Sequence, residues 1–252
     1  MHNFPSHPAA DRFRLEAIEQ RLWIDAASHR VPAVLWTPSR AEGRRPLVLI
    51  GHGGSHHKTA QQVLDVAAPL VLQHGFAVAA IDGPVHGERR AVFDAGPAVQ
   101  AEFRALWAKG GSVETMLEDW KATLDHLCSR PEVNTQSIGW YGVSMGTAYG
   151  LPFVANDARI KVAVLGMWGT SRVNSQRLVT DAEAVHIPVL FQQKSADQLF
   201  TAEGQLEIYQ ALASADKRLV EYEGGHGPSG AQVFDAIDFL GSRLGIGTRG
   251  RE

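Results

Sequence analysis

Short aliphatic runs bounded by glycine or proline recur along the chain at residues 46–50, 76–81, 137–141, 162–165, 188–191 and 218–222. Runs this short and this continuously apolar predict strands buried on both faces. Between them the period changes. Val113, Met116, Leu117, Trp120, Leu124 and Leu127 fall at steps of three and four and predict an amphipathic helix. Val233, Ile237, Leu240 and Leu244 predict another after the last strand, and Leu206, Ile208, Tyr209 and Leu212 give a weaker version before it. Strands alternating with helices imply parallel strands joined by right-handed crossovers. Residues 21–25 and 31–36, flanking a turn at 26–30, predict an antiparallel hairpin at one edge. The expected fold is therefore α/β, a mostly parallel eight-stranded sheet with helices on both faces. In such sheets the working residues gather beyond the carboxyl ends of the strands.

A length of 252 residues suits one such domain, expected over residues 1–252 with 1–20 as an extension. Lys and Arg number 24 against 27 Asp and Glu, for a net charge of -3 with no run of one sign, which argues against nucleic acid or an anionic membrane as partner. The apolar runs at 66–72 and 76–81 fall far short of the roughly 18 residues that cross a bilayer. Residues 1–10, with Pro5 and Pro8 among polar neighbours, lack the pattern of a secretory signal, and the lone Cys128 has no internal disulfide partner. A cytoplasmic location is expected.

Gly142-Val143-Ser144-Met145-Gly146 has the Gly-x-Ser-x-Gly pattern of a nucleophile elbow, in which small residues let a strand turn sharply into a helix and hold the serine hydroxyl clear. The required context is present: a predicted strand ends at residue 141, and residues 147–154 can begin a helix that Pro152 either limits or occupies in its first turns. A serine needs a general base, and the base needs a carboxylate that fixes its tautomer. Asp197 and His226 stand on the loops after the strands at 188–191 and 218–222, where Ser144 also stands after its own. Asp181 and Glu183 precede the first of those strands and Asp216 the second, so Asp197 is the preferred acid. Transition-state charge needs preorganised N–H donors. Met145 follows the nucleophile; the second donor is expected in Gly51-His52-Gly53-Gly54-Ser55, with Gly54 the first choice and Ser55 its neighbour. His52, His56, His57 and His86 fall at no recognised helical ligand spacing and read as structural or pocket-lining residues rather than metal ligands.

With these motifs assembled, the chain resembles serine hydrolases of the α/β-hydrolase superfamily, and within it the dienelactone-hydrolase-like and prolyl-oligopeptidase-like branch. The resemblance runs from about residue 46 to 244 and rests on residues 51–54, 82–89, the Ser144 elbow, Asp197 and 224–226. It implies Ser144 as nucleophile, Asp197 as acid, His226 as base, the Gly54 and Met145 amides as oxyanion donors, no cofactor, and a mainly structural role for residues 82–89. Dienelactone hydrolases proper carry a cysteine where this chain has Ser144, so lactone specificity does not carry over.

Residues 90–111 and 169–186 are placed to cover the site and are too short for a large cap domain. Ser55 and Trp168 are the expected substrate contacts, with Met167, Phe93, Phe103 and Trp107 as further apolar candidates. The expected reaction is hydrolysis of small-molecule carboxylic esters of small or medium acyl groups through an acyl-enzyme. A peptidase or amide hydrolase and a carbon–carbon bond hydrolase would use the same groups, and a non-catalytic binding protein could keep the fold. Substrate identity and association into homo-oligomers are left open.

Overall fold

In the computed structural model, which describes residue 13 and residues 15–40 and 43–245, every predicted strand forms. The strands are β1 (Ala17–Asp25), β2 (Arg30–Pro38), β3 (Arg45–Gly51), β4 (Ala77–Ile81), β5 (Val133–Gly142), β6 (Ile160–Gly166), β7 (Val189–Lys194) and β8 (Lys217–Tyr222). They lie in the order β1-β2-β4-β3-β5-β6-β7-β8, and β2 pairs antiparallel with both neighbours while the pairings from β4 to β8 are parallel. This is the mostly parallel eight-stranded sheet that the alternating pattern implies.

The hairpin is longer than its sequence expectation. Its register runs unbroken from Ala17 opposite Pro38 to Asp25 opposite Arg30, so residues 17–20 belong to an edge strand rather than to an extension. Trp36 Nε1 donates to Glu19 Oε2 at 3.0 Å across the pair, a contact that sequence spacing does not reveal. The residues read for a secretory signal, 1–10, lie outside the described residues.

Helices α1 (Gln61–Leu72) and α7 (Gly230–Leu244) cover one face, packing Val63, Val66 and Leu70 with Ile237, Leu240 and Leu244 on Val48, Ile50 and Val164. The other face carries α2 (Pro97–Lys109), α3 (Ser112–Cys128), α4 (Met145–Asn156), α5 (Arg177–Glu183) and α6 (Ala202–Ala211). There Met116, Trp120 and Leu124 of α3 bury against Leu49, Ile138 and Trp140, with the Trp120 and Trp140 rings edge to face at 4.7 Å. Pro152 does not end α4; the helix runs on past it to Asn156, whose amide returns to the Pro152 carbonyl at 2.8 Å. Among the described residues no helix is long and apolar enough to cross a membrane.

Register fixes where the loops meet. Gly51 pairs with Gly142, so the loop after β3 leaves the sheet beside the turn after β5. Lys194 pairs with Tyr222, which sets the loops after β7 and β8 side by side.

A buried ion network anchors the loop after β3. Asp82 accepts the Lys58 N–H at 2.9 Å, the Lys58 ammonium at 2.6 Å and the Glu88 N–H at 2.9 Å, and the same ammonium reaches Glu88. Gly87, at φ 52°, has no room for a Cβ because the Asp82 carboxylate fills the space, which accounts for the glycine in the 82–89 motif. Arg89 extends the chain of charges by donating to Asp119 at 2.5 Å, and Asp119 pairs with His29 at 2.7 Å. A buried pair broken from one side leaves an uncompensated charge. Lys58→Ala should therefore cost about 3–5 kcal/mol of unfolding free energy, read from the urea midpoint at constant slope. A loss below about 1 kcal/mol would mean that Asp82 finds other compensation.

Candidate active site

β5 ends at Gly142, and α4 starts three residues later. Between them Ser144 adopts φ 56° and ψ −122°, a conformation that a side-chain-bearing residue holds only when its surroundings impose it. The imposing contacts are visible. Ser144 N–H donates to the Gly166 carbonyl at 2.9 Å. The buried Thr147 hydroxyl lies 2.8 Å from the Gly142 carbonyl and 2.6 Å from that of Gly166, and accepts the Gly166 N–H at 2.7 Å. A Cβ on Gly142 would stand 2.7 Å from the Gly146 carbonyl oxygen, and one on Gly146 would strike the Gly51 carbonyl. The two glycines are thus the condition for β3, β5 and α4 to meet at the turn.

The hydroxyl so exposed meets an imidazole. Ser144 Oγ lies 2.9 Å from His226 Nε2, and His226 Nδ1 lies 2.9 Å from Asp197 Oδ2. An ionised carboxylate only accepts, so Nδ1 carries the proton and Nε2 is left to accept from the serine. Asp197 Oδ1 is committed elsewhere, accepting the N–H groups of Leu199 at 2.8 Å and Phe200 at 3.1 Å. Burial works against ionisation of Asp197, but the bonds from His226, Leu199 and Phe200, with the imidazolium charge, outweigh it and hold the carboxyl below the usual carboxylate range. Gln198 Oε1 accepts the His226 N–H at 3.2 Å, and Ala196 N–H reaches the Gly224 carbonyl at 3.1 Å, so the two loops are tied to each other. Gly224, at φ 104°, turns the chain into that tie.

Gly54 faces Met145: a Cβ on Gly54 would lie 3.7 Å from that of Met145 and 2.9 Å from the Phe103 ring. Among the described residues neither the Gly54 nor the Met145 N–H donates to a protein acceptor. The peptides around Gly54 are held by neutral histidines. His52 Nδ1–H donates to the Gly53 carbonyl at 2.8 Å while its Nε2 accepts the Gly83 N–H at 2.9 Å, and His86 Nε2–H donates to the Gly54 carbonyl at 3.0 Å. Burial, with the nearby His86, drives His52 well below the usual histidine range, and burial pushes His86 down to about 4. Both rings are uncharged at pH 7.

Above Ser144 lies a cleft of about 130 Å³ walled by Phe103, Trp107, Trp168, Val173, Leu199 and Phe200. Trp168 stands in that wall, its Nε1 donating to Ser175 Oγ at 3.0 Å and its ring 4.5 Å from that of Phe200. Ser55 does not line the cleft; the chain turns away after Gly54, and the Ser55 carbonyl accepts the Gly96 N–H at 2.7 Å. Phe93 is exposed and packs on His57, and Met167 is buried on the opposite face of the sheet, its sulfur 3.0 Å from Gln232 Nε2.

The segments expected to cover the site meet over it. Residues 90–111 contain α2 and residues 169–186 contain α5. Trp107 Nε1 donates to the Val173 carbonyl at 2.8 Å, and the Asn174 amide donates to the carbonyls of Trp107 and Ala108 at 3.0 and 2.9 Å. Glycines at positive φ bracket α2: Gly96 at its start, Gly110 and Gly111 beyond its end. Among the described residues no three His, Cys, Asp or Glu side chains are grouped to hold a metal. Thr147, Gln198, Asn174 and the orienting roles of His52 and His86 escape sequence reasoning, because each is defined by a partner distant along the chain.

Known proteins share this fold. The chain is 34% identical to a cold-adapted esterase from an Arctic intertidal metagenomic library, solved in complex with polyethylene glycol, over 91% of this chain and 95% of that one, with a TM-score of 0.81. An acetyl xylan esterase from Paenibacillus sp. R4, 17% identical over 97% of this chain and 87% of its own, has a TM-score of 0.71 and shares the fold. YtaP of Bacillus subtilis (strain 168), a hydrolase by inference, is 31% identical over 163 residues, 60% of this chain, and the match spans about half of its length, 53%. The dienelactone hydrolase family model matches residues 31–227, from β2 through the loop that carries His226. The fold is that of the α/β-hydrolases, and the chain belongs to the dienelactone hydrolase family.

Proposed function

We propose that this protein hydrolyses carboxylic esters of small acyl groups, with Ser144 as nucleophile, His226 as general base and acid, and Asp197 as the carboxylate that orients the ring. The observation that carries the reading is the unbroken pair of 2.9 Å contacts from Ser144 Oγ through His226 to Asp197.

Ser144 Oγ attacks the ester carbonyl carbon as its proton passes to His226 Nε2. The imidazolium so formed is stabilised by Asp197. The carbonyl oxygen becomes an oxyanion between the N–H groups of Gly54 and Met145, each such donor contributing about 3 kcal/mol in related chemistry. Collapse expels the alcohol, which takes the proton back from His226. Water then loses a proton to the same nitrogen and attacks the acyl-serine, releasing the acid and restoring the hydroxyl. A cleft of about 130 Å³ walled by aromatic rings suits a short acyl chain, being well below the roughly 300–1,000 Å³ of sites that bury drug-sized ligands. The 34% identity to a cold-adapted esterase supports the same bond type.

A fluorophosphonate probe tests the reading directly. It should add one phosphonyl group to the peptide that contains Ser144, and 4-nitrophenyl acetate should compete with the labelling. A folded protein that stays unlabelled, or is labelled elsewhere, overturns the assignment.

A further inference from the structure

We propose that the outer edge of β1 pairs with the same strand of a second copy of this chain, antiparallel about a two-fold axis at Gln20. The sheet has two edges, and they differ in kind. The β8 edge is short and charged, with Lys217, Arg218 and Glu221 among its six residues, which is how an edge resists pairing. The β1 edge has nine residues and no proline, and its register with β2 runs unbroken from Ala17 to Asp25. Ile18 and Trp23 on it are 45% and 47% exposed, and Leu15 just before it is 82% exposed. A long, regular edge with exposed apolar side chains is a template for another strand.

The backbone groups are in place. The Glu16 carbonyl accepts the Ser39 N–H at 2.9 Å and the Ala26 N–H donates to the His29 carbonyl at 2.8 Å, so even-numbered residues between them bond to β2 and odd-numbered ones turn N–H and C=O outward. Among the described residues no strand meets that outward side. Arg30 reaches the Trp23 carbonyl there at 3.5 Å. The spacing of the side chains selects the partner. A two-fold axis normal to the sheet keeps every side chain on its own face, so it passes through a residue rather than between two. Through Arg21 it would set two guanidinium groups against each other, a destabilising pair. Through Gln20 it sets Glu19 opposite Arg21 twice, on the face where Ala17 comes opposite Trp23, and sets Ile18 opposite Leu22 on the other face. Glu19 and Arg21 already lie 3.3 Å apart within one chain, so two copies complete an alternating square of charge. Gln20 itself is held aside, its Oε1 accepting from Arg130 at 2.7 Å, and that arginine is paired with Glu132. The strand is thus complementary to itself in charge and in apolar surface, as an isologous contact requires.

One strand pair is a small interface, so the association is weak and depends on concentration. Sedimentation velocity between about 1 and 300 µM should show the mass rising from that of one chain toward that of two. Ile18→Lys sets an ammonium against the partner's Leu22 and should raise the dissociation constant about tenfold or more, with the urea midpoint of the dilute protein unchanged. Register is read separately, by disulfide formation in a Cys128→Ser background. The Gln20 pair is of the kind that exchanges no hydrogen bonds, with Cα atoms about 4.5 Å apart and within reach of a disulfide. Gln20→Cys should therefore oxidise to a covalent dimer, whereas Ile18→Cys should do so only when mixed with Leu22→Cys. A chain that stays monomeric at about 300 µM overturns the proposal, as does a dimer that Ile18→Lys leaves intact or a cross-link that forms as readily through Ile18→Cys alone as through Gln20→Cys.

Discussion

Ser144→Ala should reduce ester hydrolysis by about 10⁶-fold, leaving only what the two N–H donors and substrate binding supply without a nucleophile. Initial rates with 4-nitrophenyl acetate at saturating concentration measure the loss, and a fall of less than about 100-fold would show that another group attacks. Stability provides an independent reading of the same residue. Alanine keeps a Cβ at φ 56°, whereas glycine accepts that backbone freely. Ser144→Gly should then unfold at a higher urea concentration than Ser144→Ala, by an amount equivalent to about 1–3 kcal/mol, the usual strain of such a conformation. An inactive variant that is more stable than its alanine counterpart would locate the strain at the nucleophile itself.

Asp197→Asn should lower kcat by about 10⁴-fold, more than the removal of one charge from a half-solvated loop would explain. The reason lies in the other oxygen. Asp197 Oδ1 already accepts two backbone N–H groups, from Leu199 and Phe200. An asparagine that preserves those bonds must turn its carbonyl toward them and its NH₂ toward His226 Nδ1. The ring can answer only by moving its proton to Nε2, where it faces the serine hydroxyl and cannot accept from it. Stability changes with pH in a definite direction. The folded Asp197 carboxyl sits below its ordinary value, so its ionisation contributes stability that is complete above the unfolded value and is lost as pH falls through the lower folded one. The asparagine variant should lack that component of the acid transition. Activity within tenfold of the parent protein would show that the ring is oriented by other contacts.

Much of this architecture is legible from residue order because its inner strands are buried on both sides, whereas the edge strand β8, expected to be so too, is partly exposed. A run such as Leu47-Val48-Leu49-Ile50 has few alternatives once glycine follows it. Helix α3 is equally plain, since only one of its faces is apolar. Helix α4 is harder to delimit for the opposite reason: from Met145 to Val154 every residue is buried, so no stripe marks it, and Pro152 argues falsely for an end. Helix α1 does carry an apolar stripe, at Val63, Val66, Ala67, Leu70 and Val71, but Pro69 lies inside it.

The elbow and the two loop residues it meets can be found because each sits at a fixed offset from a strand end. Ser55 and Met167 cannot be placed by adjacency to Gly54 and Trp168, since a turn sends one side chain aside and Met167, at φ 53°, points through to the opposite layer. Thr147 carries no local signature at all; its work is defined by the Gly166 backbone, which folding brings to it.

The latch between Trp107 and the residue pair Val173 and Asn174 separates two tasks within one molecule. The sheet and its ion network hold Ser144, Asp197 and His226 in register, while one wall of the cleft hangs on three hydrogen bonds between a glycine-bracketed helix and a short loop. On the proposed hydrolytic reading, editing the single amide at position 174 would reshape the cleft wall and leave Ser144, His226 and Asp197 as they stand.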